Sequence, residues 1–364
     1  MRVVICGGGV IGAAAAYFLS RRGAAVTVIE RTAVACAASG KSGGFLARDW
    51  CEGTPLAPLA RHSFDLHARL ADEIDDDWGY RRLDTYAGYA PERGRPARPQ
   101  TAHEWLSEGV TVTQRLGSPA TTAQVHPAKF TEAMMRASGA AVRIGRVTGI
   151  ARRGDRVSGV EVEGETIPAD AVVIAMGPWS ILAAAWLPLP PVFGLKGHSI
   201  VFDTGESVPA EALFAEFREA GGQVQSPEIF PRADGTTYVC AISSESPLPI
   251  DPARIGPDPG AIERLEAMCR AMSPVLAAAP IIARQACFRP IARDGLPLIG
   301  RVPRVEDAYI ATGHSVWGIL NAPATGEAIA EAILDGAARS VDLRPFDAGR
   351  LTPLDPASLR GLAP

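Results

Sequence analysis

Residues 2–31 read RVVICGGGVIGAAAAYFLSRRGAAVTVIER, and two incompatible readings compete for them. Residues 3 to 19 carry no charge, with Arg2 before them and Arg21 and Arg22 after. That is the layout of an export signal or a membrane anchor, and equally that of a buried strand, turn and helix. A membrane helix needs about 20 consecutive apolar residues. A signal peptide needs a short apolar core and a small-residue cleavage site ahead of a separate mature domain. The run falls slightly short of a span, and each glycine at its start costs a helix about 1 kcal/mol against alanine. The order of elements fits a domain. RVVIC reads as a short buried strand and GGGVIG as a glycine turn. AAAAYFLSRRG reads as a helix with Arg21 and Arg22 in its last turn and Gly23 as its stop. AVTVIE is a second buried strand that closes on an acid.

Gly7-x-Gly9-x-x-Gly12 therefore lies between a strand and a helix, and Glu30 follows Gly12 by 18 residues. This is the dinucleotide fingerprint in the context it requires. Gly7 permits a tight turn, Gly9 lets the backbone approach a pyrophosphate, and Gly12 lets the helix pack close to the strand. The helix N-terminus at Val10 and Ile11 offers unpaired N–H groups and the positive end of its dipole to phosphates. Glu30 can accept both hydroxyls of a ribose, with Arg31 beside it.

The rest of the composition narrows the field. The chain has 364 residues, 47% of them apolar and 21% charged, which suits two domains of ordinary size. A formal net charge of −4 argues against nucleic acid as a partner, since phosphate-binding surfaces are usually basic. None of the six cysteines sits in a C-x-x-C pair, and no Cys/His spacing suits zinc. No metal site is expected, and the cysteines read as reduced thiols of a cytoplasmic protein without a membrane partner.

The fingerprint alone does not choose between FAD and a nicotinamide cofactor. A nicotinamide dehydrogenase would continue in regular βαβ units. Here the second strand runs into RTAVACAASGKSGGFLARDW, a small-residue loop through Ser39, Gly40, Lys41, Ser42, Gly43 and Gly44 that can lie flat against a large planar ligand. Further on, GETIPADAVVIAMGPWS reads as a polar hairpin segment, a buried strand and a Gly-Pro turn. DAYIATGHSVWGILNAPATGEAIAEAILDGA reads as a strand, a glycine-flanked loop and a helix entered at Asn321 and Pro323.

With these segments and CFRPIARDGLPLIGRVP in the same order, the chain resembles the D-amino-acid oxidase superfamily of FAD-dependent amine oxidoreductases, which includes glycine oxidase and sarcosine oxidase. The resemblance spans the whole chain. The wording of ASGKSGGFLARDWC and GHSVWGILNAPATG is most similar to a poorly characterised branch. The resemblance implies an α/β FAD-binding Rossmann-like domain, with a mostly parallel sheet, and an inserted α+β substrate domain built on an antiparallel sheet. The FAD domain is expected at 1–75, 127–194 and 284–364, and the substrate domain at 76–126 and 195–283. On their own terms, residues 84–101 read as loop, GLKGHSIVFDT and TTYVCAIS as half-exposed antiparallel strands, and GAIERLEAMCRAMSPVL as an amphipathic helix.

The resemblance also assigns roles. Arg289 would clamp a substrate carboxylate over the flavin, a task suited to a planar guanidinium fork; the alternative is a structural ion pair. Cys287 stands at the spacing of the cysteine that carries covalent flavin in the sarcosine oxidase branch, whereas the DGLPLIG wording belongs with the glycine oxidase branch, which binds FAD without a bond. Gly313, His314, Val316, Trp317, Gly318 and Ile319 would lie along the flavin, His314 being either a catalytic residue facing the ring or a loop histidine with a structural hydrogen bond, and Val147, Ala175, Gly177 and Trp179 would complete the FAD site. Lys196, near His198, is a catalytic cation or an ordinary surface charge. Apart from the resemblance, Trp50, Tyr86 and Tyr89 are candidates for the lining of a pocket. The implied reaction is oxidation of a C–N bond in a small D-, N-methyl or cyclic amino acid by hydride transfer to flavin. The imine would then be hydrolysed and the flavin reoxidised by O2 or another acceptor. An FAD-dependent dehydrogenase of a non-amine substrate and a non-catalytic FAD-bound assembly factor are the alternatives.

Overall fold

A computed structural model of the chain describes residues 1–90, 103–219 and 221–359. The opening stretch folds as strand Arg2–Cys6, helix Val10–Arg21 and strand Ala25–Glu30. These two strands pair in parallel, Val3 opposite Val26, at the centre of a six-stranded sheet. The sheet runs Leu298–Arg301, Ala308–Thr312, Ala171–Ile174, Arg2–Cys6, Ala25–Glu30, Ala141–Ile144, and only its first strand is antiparallel to its neighbour. Val3, Val4, Ile5 and Cys6 are all buried, as expected for a strand covered on both faces. One face carries helices Val10–Arg21, Ala57–Glu73, Pro127–Ser138 and Gly318–Leu334 over a shared apolar core. The other is covered by a three-stranded antiparallel meander, Val147–Arg153, Arg156–Val162 and Glu165–Pro168. The apolar run at the N-terminus is the middle of this core. Among the described residues no helix is long and apolar enough to cross a membrane.

A second, larger sheet is antiparallel apart from one parallel pair, Asp84–Ala90 with Glu211–Arg218. Its backbone is a long ribbon of Val192–Asp203 against Ile281–Ala292. The ribbon runs without a break through positions 194/195 and 283/284, where the expected domain boundaries fall. Helix Ala261–Met272 covers its back.

Two readings of local structure are corrected. Residues 84–90 are a strand, not a loop, because Thr and Tyr find a partner strand and Gly88 leaves room for Leu213; residues 91–101 lie outside the described residues. The C-terminal helix begins at Gly318, ahead of Asn321, and Pro323 lies inside it. Proline has no N–H and disturbs the turn before it, so Ile319 and Leu320 need other donors for their carbonyls. Helix Ala57–Glu73 supplies the repair. His67 Nε2 lies 2.9 Å from the Ile319 carbonyl and 3.2 Å from that of Leu320, and Ser63 Oγ accepts the Ala324 N–H at 3.1 Å. His67 is fully buried, which lowers its pKa to about 4 and keeps the ring neutral.

Candidate active site

The glycine turn is built from backbone. Gly7 has φ +113°, and a Cβ there would lie 2.3 Å from the Ala175 carbonyl oxygen. A Cβ on Gly12 would lie 2.0 Å from the Gly7 carbonyl oxygen, so both positions exclude side chains. Gly9 caps helix Val10–Arg21 without a side chain, and Ser39 Oγ takes over by accepting the Val10 N–H at 2.9 Å. Glu30 ties the turn to the second strand: Oε2 accepts the Gly8 N–H at 2.8 Å and Oε1 that of Thr32 at 2.9 Å.

This turn is one end of a cavity of about 760 Å3 that reaches the larger sheet. Gly7, Gly9, Val10, Ile11, Glu30, Arg31, Ser39, Ser42, Gly43, Gly44, Val147, Ala175, Gly177 and Trp179 line it, as do Cys287, Arg289, His314, Val316, Trp317, Gly318 and Ile319. Gly12, Gly40, Lys41 and Gly313 do not. Gly12 and Gly40 act from behind, since a Cβ on Gly40 would strike the Ala35 carbonyl oxygen. Trp179 spends its indole N–H on the Pro249 carbonyl.

Between the two ends, Ser315–Trp317 and the start of helix Gly318–Leu334 face the cavity. His314 is buried, with Nε2 3.1 Å from Thr325 Oγ1 and Nδ1 without a partner. Burial lowers its pKa to about 3, so the ring is neutral. Burial raises the Cys287 thiol and so opposes the thiolate that covalent attachment would need. All six cysteines are free.

The far end is a sheet face. Arg289 Nη2 donates to Ser243 Oγ at 2.5 Å across the intervening strand, passing Gly197, which has no side chain to block it. Arg289 Nε has no partner.

With this cavity in view, comparison with known proteins is direct. A family model described as DAO, FAD dependent oxidoreductase, matches residues 2–332. The chain belongs to this family. It is 30% identical over 377 residues to a Schizosaccharomyces pombe protein named only provisionally as an oxidoreductase, covering 95% of this chain and 97% of the relative. Glycine oxidase of Geobacillus kaustophilus is 26% identical, with 96% of each chain covered. The crystal structure of that glycine oxidase superposes with a TM-score of 0.79, covering 96% of this chain and 99% of that one. Iminodiacetate oxidase of Chelativorans sp. BNC1, 23% identical, shares the fold with a TM-score of 0.75 over 95% of this chain and 99% of that one.

As an FAD-dependent oxidoreductase, the protein needs a long cradle open to backbone donors. The turn at Gly7–Gly12, where added Cβ atoms would collide with carbonyls, and the orphaned Nδ1 of buried His314 both fit such a ligand. The small-residue loop departs from expectation in one respect: a Cβ on Gly43 would lie 2.2 Å from the Phe230 ring, so this glycine lies flat against a side chain of the protein.

Lys196 is placed elsewhere than expected. It does not line the cavity, and its Nζ pairs with Asp258. Asp258 also accepts from Ser244 and Ser246, and these partners hold its carboxyl well below the usual range. His198 joins the same latch: Nδ1–H donates to the Ile242 carbonyl and Nε2 accepts the Asp258 N–H. Lys196 is thus spent on anchoring residues 244–258. Neither Tyr86, whose ring packs on His103, nor Tyr89 lines the cavity, whereas Trp50 does. Sequence reasoning missed Glu228, Phe214, Phe230, Tyr238, Cys240 and Ser243, all cavity-lining. They come from three strands and share no motif; the alternation of Glu228 with Phe230 and of Tyr238 with Cys240 was the available signal, and a register shift places Ser243 out of that alternation.

Proposed function

We propose that the protein oxidises the C–N bond of a small amine that carries a carboxylate, and that Arg289 binds that carboxylate. The observation that carries the reading is Arg289 itself, a guanidinium on the sheet face of the cavity with Nε unpartnered and only a serine hydroxyl on Nη2. A carboxylate can take two parallel bonds from such a fork. The likeness to glycine oxidase over nearly the whole chain supports the substrate class.

Bound FAD supplies a two-electron acceptor for the substrate's α-C–H. The unit that would hold it is drawn mainly from 1–75, 127–194 and 284–364 and the unit for substrate from 76–126 with 195–283, the ribbon of Val192–Asp203 and Ile281–Ala292, with Arg289 on it, being shared by both. Gly9 and Ile11 would meet the pyrophosphate, the Val10 N–H being already donated to Ser39 Oγ, and Glu30 Oε2 would keep a lone pair for a ribose hydroxyl beyond its bond to Gly8. The N-terminus of helix Gly318–Leu334, with neutral His314 beside it, would offer N–H dipoles to negative charge on the bound cofactor. Arg289 orients the substrate, and the apolar walls exclude water. Cys287 stays a thiol and FAD is held without a covalent bond. O2 or another acceptor takes up the electrons. The six free thiols support a cytoplasmic setting.

The test is turnover on a panel of N-methyl, D- and cyclic amino acids, with peroxide and imine products measured. Arg289→Ala is expected to lower kcat/KM on the accepted substrate about 100-fold, the scale of an unpaired buried charge. A panel without turnover, or full activity in the variant, would refute the reading.

A further inference from the structure

Glu228 has no part in binding a carboxylate or FAD, yet it faces the same cavity. Strand register sets its surroundings. Glu228 lies opposite Phe214 on one side and Cys240 on the other, and Phe230 lies opposite Tyr238. Side chains two apart on a strand share a face, so these five stand together, and all five line the cavity. Trp50 packs on Phe214 with ring centroids 4.8 Å apart, and Phe45 fills the space between them and Phe230, stacked on the Phe230 ring at 5.2 Å. The result is an acid beside a packed aromatic cluster that lines the cavity.

Among the described residues Glu228 forms no ion pair, and its hydrogen-bond partner is the Cys240 thiol, with Oε2 3.5 Å from Sγ. A carboxylate held without a cation in protein surroundings is costly. Burial accordingly raises Glu228, and the charge of Arg289 offsets this only in part. Arg289 itself is engaged with Ser243. A cation brought by the ligand would relieve the acid, and aromatic faces attract cations further.

The reacting nitrogen is a poor occupant for this place. It must be neutral to be oxidised, and a carboxylate among ring faces would hold it protonated. A different cationic group is required. We propose that the substrate carries, besides its carboxylate and its oxidisable C–N bond, a second basic group, a primary or N-alkyl ammonium, that docks against Glu228 on the cavity side of the packed rings of Phe45, Trp50, Phe214 and Phe230. This rests on the cavity's being the site of an amine carboxylate. It makes Glu228 a specificity-determining residue and the preferred substrate a basic amino acid rather than a neutral one.

The experiment is calorimetric titration of the FAD-loaded protein with matched pairs, lysine against norleucine and ornithine against norvaline, each in both configurations. The cationic member of a pair is expected to bind at least tenfold more tightly. Glu228→Gln, which keeps the shape and removes the charge, should collapse the ratio to within twofold. Should that variant not fold, Glu228→Asp withdraws the charge by one methylene and should lower the ratio at least threefold. Equal binding of both members by the unaltered protein, binding of neither, or a ratio untouched by the folded variant overturns the proposal. A Glu228-dependent preference without turnover of any amine would spare this inference and sink the oxidation reading. Turnover without the preference would do the reverse.

Discussion

The two ends of the cavity are built from different materials. At the glycine turn the working groups belong to the backbone, and the side chains are notable for being absent: Gly7 and Gly12 pack against carbonyls that any Cβ would strike. At the sheet end the groups facing the cavity are side chains, Arg289, Ser243, Glu228 and the rings of Phe214 and Phe230, brought together from four strands. Backbone sites tolerate almost no substitution but say little about what else is bound. Side-chain sites can be altered one group at a time, and each group discriminates among ligands.

Substitutions can break or sharpen this contrast. The largest effect is expected at the turn. Gly12→Val puts atoms onto the Gly7 carbonyl and should cost about 4 kcal/mol or more, the scale of severe core disruption. Purified protein should then lack flavin absorbance and melt well below the parent. At the sheet end Arg289→Ala should leave flavin content and Tm nearly unchanged while kcat/KM falls about 100-fold. If Arg289→Ala loses its flavin instead, the two ends are not separable.

The repair at Pro323 comes next. His67→Ala removes the donor to two buried carbonyls and should cost about 2–3 kcal/mol. Paired with Pro323→Ala, which restores the N–H for Ile319, the loss should be partly recovered, so denaturant unfolding of the double-mutant cycle should show coupling of at least about 0.5 kcal/mol. Additive effects would mean that the histidine and the proline act independently.

Acid should destabilise the fold through the same group. His67 is held at a pKa of about 4 against 6.5 when unfolded, so the unfolded chain binds the proton more readily. A depressed base of this kind contributes fully above pH 6.5 and loses its contribution as pH falls toward 4, about 3 kcal/mol at most. His314, held at about 3, extends the decline to lower pH. Thermal melts across this range should fall with pH, and less steeply in His67→Ala.

The smallest effect is expected at Lys196. Lys196→Met breaks a largely buried pair with Asp258, which Ser244, Ser246 and His198 still hold, and should cost about 2 kcal/mol with kcat within a few-fold of the parent. A 100-fold fall in kcat would return Lys196 to the chemistry.

The same contrast explains what could be read in advance. Gly7, Gly9, Gly12 and Glu30 were legible because a backbone site is made from consecutive residues, and its spacing is fixed by one strand, one turn and one helix. Arg289 was reached through family resemblance. Glu228 was not reached at all, because its neighbours Phe214 and Cys240 are 14 and 12 residues away in the chain and adjacent only across the sheet. The start of the last helix was misplaced for a related reason. Pro323 signals a first turn locally, and only His67 and Ser63, some 250 residues earlier, make an interior proline tolerable.

By itself, then, the sequence determined the order of strand, turn, helix and strand, the glycine fingerprint and the family, because these rest on local conformation and on contiguous burial. Tertiary structure decided which side chains meet at the sheet end, that Lys196 pairs with Asp258, and that Glu228, without an ion pair among the described residues, stands beside an aromatic cluster. Those outcomes depend on strand register and on partners distant in the chain, and register is set by the packing of the whole sheet rather than by any segment of it.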